Sequence, residues 1–141
     1  MSDNLSRLKA TYTAWHDTKG DREVWRPLLA DRFSLRSVDE NSPGLAFARN
    51  RYSREEVLDY LAGVLNEWEM VHFTPETFVS EGDQIAMFGL CAYRNRATGK
   101  VTETLVSALW RFEDDKAVAM TEIFDSAAVS AAATPDAFMQ A

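Results

Sequence analysis

Apolar residues recur at helical spacing at the start of the chain. Leu5, Leu8, Tyr12 and Trp15 fall on one face of a helix, and Lys19-Gly20 supplies a stop signal. Asp21 then caps a second, shorter helix with Val24, Trp25, Leu28 and Leu29 on its apolar side, which Pro27 limits to a few turns or shifts to start close to the proline. Phe33 and Leu35 alternate with polar neighbours and predict a short strand. Asn41, Ser42, Pro43 and Gly44 form a turn cluster, so Val38 to Tyr52 reads as an irregular loop with a brief extended piece around Phe47. Ser53 followed by Glu56 is a capping box, and Val57, Leu58, Leu61, Val64 and Leu65 continue with helical period as a third helix.

After Asn66 the pattern changes to long strand-like runs, Trp68 to Ser80, Gln84 to Arg96, Val101 to Glu113 and Ala117 to Ser126. The breaks at Glu81-Gly82-Asp83, Ala97-Thr98-Gly99 and Glu113-Asp114-Asp115 are short enough for antiparallel hairpins. Three helices followed by a meander imply an α+β layer fold, because four consecutive strands must bury one face and the helices supply the cover. A length of 141 residues suits a single domain, with its core over about residues 5–128. The Ala-rich tail, residues 129–141, is compatible with a helix or with fraying.

The formal net charge of -7 disfavours nucleic acid, whose recognition depends on clustered Lys and Arg. Arg49, Arg51 and Arg54 are a local exception and read as a solvated loop face or an anion grip. A single cysteine, Cys91, excludes an internal disulfide and suits a reducing compartment. The N-terminus lacks a signal-peptide pattern, and no run approaches the ~20 apolar residues of a membrane helix, so no membrane association and a cytoplasmic location are expected.

The last strand-like stretch carries two acids among hydrophobic neighbours, Glu122 and Asp125. Period two places Glu122 on the face of Met120 and Phe124, where a carboxylate is costly unless it is paired, hydrogen-bonded or protonated. Glu122 is therefore a candidate acid/base group, with pairing to an Arg or Tyr, or exposure to solvent, as the alternatives. Asp125 is a second candidate, or else a cap for the next turn. Tyr12 and Trp15 line either a pocket or plain core. Trp110 and Phe112 share the register of Ala108 and would give a pocket an aromatic wall suited to a flat or cyclic ligand. His72 alternates with Met70 and Thr74 as a pocket hydrogen-bonding candidate or a satisfied surface or core histidine, and with His16 as the only other histidine no metal-ligand spacing exists. No phosphate loop and no nucleophile elbow is present, and no cofactor is implied.

Gly20-Asp21 between helices, Leu29-Ala30-Asp31 entering a short strand, the capped third helix, Thr98-Gly99-Lys100 in a hairpin and the closing Phe124-Asp125 together resemble the SnoaL-like and ketosteroid isomerase-like group of the nuclear transport factor 2-like superfamily. The resemblance covers about Leu5 to Ala128. It implies three N-terminal helices packed in a curved antiparallel sheet, a cone with a hydrophobic pocket, and a homodimer through the outer sheet face, where Leu105, Ser107 and Leu109 fall. It also implies a small hydrophobic ligand and, in catalytic members, isomerase, cyclase or epoxide hydrolase chemistry.

Carried over residue by residue, these chemistries fit unequally. Aligned on Trp110-Arg111-Phe112, the donor acid of ketosteroid isomerases falls at Ala108, their base near Ser37 and their tyrosine near Thr13, one residue from Tyr12. The arginine and first aspartate of limonene epoxide hydrolase-like members fall at Leu90 and Ala92, and their second acid at Glu122. SnoaL-like polyketide cyclases carry a Glu-His-Trp-Asp stretch that corresponds to Glu122-Ile123-Phe124-Asp125, with the aspartate matched and the histidine replaced. Ligand-lining roles thereby extend to Leu90, Ala108, Met120 and Phe124. Two readings result: a pocket protein with Glu122 and Asp125 as acid/base groups for isomerisation, cyclisation or water addition, and a non-catalytic binding or dimeric interaction module of the same fold.

Overall fold

The computed structural model of the protein describes residues 2–37 and 50–136. Helix α1 spans Ser2–Asp17, and a 3-10 turn covers Arg22–Trp25. Strands β1 (Leu29–Arg36) and β2 (Arg51–Ser53) lead into helix α2 (Arg54–Glu67). Four strands follow, β3 (Trp68–Glu81), β4 (Gln84–Asn95), β5 (Val101–Glu113) and β6 (Lys116–Phe124), and helix α3 (Ser126–Ala133) closes the described chain. The six strands form one curved, unclosed sheet in the order β2-β1-β6-β5-β4-β3.

The α+β cone expected from the sequence is the observed architecture, and its long hairpins begin and end within two residues of the turn signals. Two details differ. The second helix is only a single 3-10 turn, with Asp21 accepting from the Glu23 N–H at 3.0 Å, and Leu28 and Leu29 pass into the turn and β1. The strand holding Phe33 and Leu35 pairs in parallel with β6, a partner more than eighty residues away that no local pattern announces. The extended piece expected around Phe47, and Arg49 of the arginine group, lie outside the described residues. The other two arginines are engaged: Arg51 is buried with its guanidinium 5.5 Å from the Tyr60 ring centre, and Arg54 pairs with Asp31 at 2.9 Å.

Local chemistry explains the elements. The Ser53 hydroxyl accepts from the Glu56 N–H at 3.1 Å, and the Glu56 carboxylate accepts from the Tyr52 N–H, one residue before the usual capping-box donor. Strand β5 alternates strictly, sending Thr102, Thr104, Val106, Ala108, Trp110 and Phe112 inward. Edge strand β3 bends through irregularities at Met70/His72 and Pro75/Thr77. Gly89 permits the second bend, since a Cβ there would stand 2.4 Å from the Thr74 carbonyl oxygen. The inward faces of the sheet, α1 and α2 enclose the core.

Candidate functional site

The concave face of the sheet, closed by α1, α2 and α3, surrounds a cavity of about 90 Å³. Strand β6 contributes Met120, Glu122 and Phe124, all on one face as period two requires. Directly opposite Glu122 on β5 is Ala108, whose single methyl group leaves room for the carboxyl. The Tyr60 hydroxyl, carried by α2, donates to Glu122 Oε1 at 2.9 Å. Helix α1 supplies Tyr12 and Trp15, and Tyr12 Oη accepts from Trp110 Nε1 at 3.0 Å. The rings brace one another: Trp25 stacks on Trp110 at 5.3 Å, and Tyr12 meets Trp25 edge-on at 5.0 Å.

Burial dominates the electrostatics. It raises the Glu122 pKa above the ordinary carboxylate value, and the hydrogen bond from Tyr60, which favours the ionised form, opposes that rise. Burial likewise raises the phenols of Tyr12, Tyr60 and Tyr93, with the nearby Glu122 charge adding to each. Burial also pushes the Cys91 thiol up to about 12. The phenols and the thiol therefore stay neutral at physiological pH, and Glu122 is the lining acid that burial shifts upward. Among the described residues no Lys, Arg or His lines the cavity, and no cluster of His, Cys, Asp and Glu is suited to a metal ion. The indole N–H groups of Trp25 and Trp68 are fully covered and without hydrogen-bond partners in the described structure.

Of the residues singled out in the sequence, Glu122, Tyr12, Trp15, Trp110, Met120 and Phe124 meet at the cavity. Ala108 lies behind Glu122, and Phe112 is buried further along β5, away from the cavity lining. Leu90, His72 and Asp125 also stand away from the cavity, the last two in the bonded and capping roles that were their alternatives. Leu90 is on the outer face opposite Leu105, because the inward positions of β4 are Cys91 and Tyr93. His72 also lies outside, bonded to Thr74 and to Glu103, each at 3.0 Å. Small Ala92, paired with both His72 and Glu103, lets those side chains meet above it. Asp125 is exposed and caps α3, accepting from the Ala128 N–H at 3.0 Å. Sequence reasoning missed Tyr60, which in sequence is one more apolar position of α2, and Tyr93, whose inward direction depends on the β4 register. Helix α3 was left open by the composition of the tail; its Val129 closes part of the cavity.

Similar solved structures share this fold. An NTF2-like protein from Burkholderia thailandensis E264 superposes with a TM-score of 0.80 and 22% identity, covering 94% of this chain and 98% of its own. A putative SnoaL-like polyketide cyclase from Jannaschia sp. CCS1 has a TM-score of 0.70 and 16% identity, covering 92% of this chain and 94% of its own. A hypothetical protein with a ketosteroid isomerase-like fold from Catenulispora acidiphila DSM 44928, solved with trimethylamine, has a TM-score of 0.72 and 14% identity, covering 91% and 95%. Among curated proteins none matches this chain. The sequence model of the SnoaL-like domain matches residues 8–120, from the middle of α1 to the middle of β6. A match of that extent, over a cone whose strands and cavity have just been described, makes the chain a member of the SnoaL-like domain family.

Proposed function

We propose that the protein binds a small, mostly apolar molecule in the cavity and that Glu122, positioned by Tyr60, moves a proton on it. The observation that supports this most is the 2.9 Å hydrogen bond from Tyr60 to a desolvated Glu122 at the edge of an aromatic-lined space. Raising the pKa of an acid makes its carboxylate a stronger base, which favours the proton abstraction that isomerisation, cyclisation or water addition requires. Asp125, at the surface as a helix cap, has no part in this reading, so the proton work falls to Glu122 alone. The low identities of the solved neighbours carry the fold only, and the ligand named with one of them is a property of that protein.

The test is a thermal-shift screen with cyclic ketones, epoxides, polyketide-like aromatics and small amines, followed by a turnover assay on any compound that binds. A ligand at ~100 times its dissociation constant adds about 2.7 kcal/mol to folding stability. Glu122→Gln is expected to retain binding of an uncharged ligand and lose turnover by at least ~100-fold. Equal turnover in the variant would remove Glu122 from the mechanism.

A second reading, a dimeric binding module without turnover, is favoured by the outer sheet face. Phe88, Leu105, Leu109 and Ile123 are all exposed there on adjacent strands, and Phe88 and Ile123 flank Ser107 in one cross-strand row. A second copy of the chain seated on that face is the proposed partner.

A further inference from the structure

The geometry points to a small organic ammonium ion as the ligand of the cavity, held by aromatic ring faces and by the Glu122 carboxylate as its counter-charge. This rests on the reading that the cavity binds a ligand against Glu122, and is independent of whether turnover follows.

Three observations carry it. First, nine of the twenty residues lining the cavity are aromatic, including all four tryptophans of the chain. Ring faces carry negative electrostatic potential; Trp25 with Trp110 and Tyr12 with Phe73 stack on one another, and the remaining lining rings supply the attraction for a cation whose charge is spread over methyl groups. Second, the one acidic side chain of the lining, Glu122, has a phenol as its partner and no cation beside it among the lining residues. Glu122 is half-buried and desolvation penalises its charge, and a ligand carrying positive charge supplies the counter-charge that the described lining lacks. An anionic ligand meets the reverse situation, with no Lys, Arg or His in the described lining to receive it. Third, the space of about 90 Å³ is smaller than the roughly 150 Å³ that takes up benzene, which limits the ligand to a compact molecule and excludes fused ring systems.

The pH dependence follows from the groups around Glu122. Tyr12 on α1, Tyr60 on α2, and Cys91 and Tyr93 on β4 remain neutral through the physiological range. Arg51 on β2 stands over Tyr60, outside the cavity lining, and Glu103 on β5 faces outward to His72. Ammonium binding therefore requires ionised Glu122, and at pH values where the free protein holds it protonated, binding drives that proton into solution. Affinity for a permanent cation should rise about tenfold per pH unit on the acid side of the Glu122 titration and level off above it.

The experiment titrates the protein with tetramethylammonium chloride and with the uncharged 2-methylpropan-2-ol, a tetrahedral molecule of the same number of heavy atoms, following tryptophan fluorescence and calorimetric heat in two buffers of different ionisation enthalpy. Expected are at least tenfold tighter binding of the cation at neutral pH, proton release on binding, and loss of the cation preference in Glu122→Gln with the alcohol still bound. If the alcohol binds as tightly as the cation, or the cation binds without releasing a proton across the acid range, the ammonium assignment is overturned while the cavity reading stands. If neither probe binds and no compound of the apolar screen binds, both are overturned. The comparison of the two probes on the unmodified protein decides the matter even if the variant does not fold.

Discussion

At the scale of single residues, Glu122 joins stability to the candidate chemistry. Its folded pKa lies above the ordinary value because burial penalises the charge. The native state therefore holds the proton more tightly than the unfolded chain. The resulting stability is fully present below the unfolded carboxylate pKa and is lost as pH rises through the folded one. Glu122→Gln, which still accepts from Tyr60, removes that loss. In urea titrations at several pH values the variant should match the wild type in acid and exceed it at neutral pH, by about 1.4 kcal/mol for each pH unit separating the two pKa values. A constant difference across pH would show that Glu122 is not desolvated. Tyr60→Phe acts in the other direction: losing the hydrogen bond that favours the carboxylate should move the Glu122 midpoint still higher, as read by carbon NMR of the side-chain carboxyl. An unmoved midpoint would deny Tyr60 its positioning role.

At the scale of elements, α3 and the β4–β5 hairpin hold the mouth of the cone together. Asp125 caps the start of α3, and its own N–H donates to Thr104 Oγ1 at 2.8 Å. At the other end, Thr98 Oγ1 donates to the Ala132 carbonyl at 2.6 Å and Lys100 Nζ to the Thr134 carbonyl at 2.7 Å, meeting acceptors that a helix C-terminus leaves open. Asp125→Ala should cost about 1 kcal/mol of stability, the usual loss for an N-cap, and leave ligand affinity within a few fold. Abolished turnover with unchanged stability in that variant would return Asp125 to the chemistry.

At this scale the legibility of the sequence also divides. The hairpins were readable because turn residues and period-two alternation are local signals, and α2 because its cap and stripe lie within fifteen residues. The parallel pairing of β1 with β6 was not, since it depends on long-range closure of the sheet. Within the site, Glu122 was readable as an acid in an apolar alternation. Tyr60 was not, because a tyrosine on the apolar stripe of a helix looks like any core residue until the opposite wall is known.

For the whole molecule, the distribution of apolar surface separates two roles. The concave face is filled and covered by helices, whereas the convex face leaves Leu105 at 72% and Ile123 at 58% exposure on neighbouring strands. Such a row is costly in water and suits a self-complementary interface. Leu105→Lys should weaken the proposed dimer by at least about tenfold in sedimentation velocity at micromolar concentration, without changing the thermal unfolding of the monomer by more than about 1 kcal/mol. A wild-type protein that sediments as a monomer would refute the dimer.

By itself the sequence determined the α+β class, the four long strands, the capped helix and the presence of an acid within the apolar alternation of the last strand, since these follow from local periodicity and turn chemistry. Only the tertiary structure decided that Tyr60 reaches Glu122, that Leu90 and His72 face outward, that Asp125 is a cap, and that the cavity is small and aromatic. Each of these depends on strand register or on distant elements meeting, and one residue of register turns a side chain to the opposite face of the sheet.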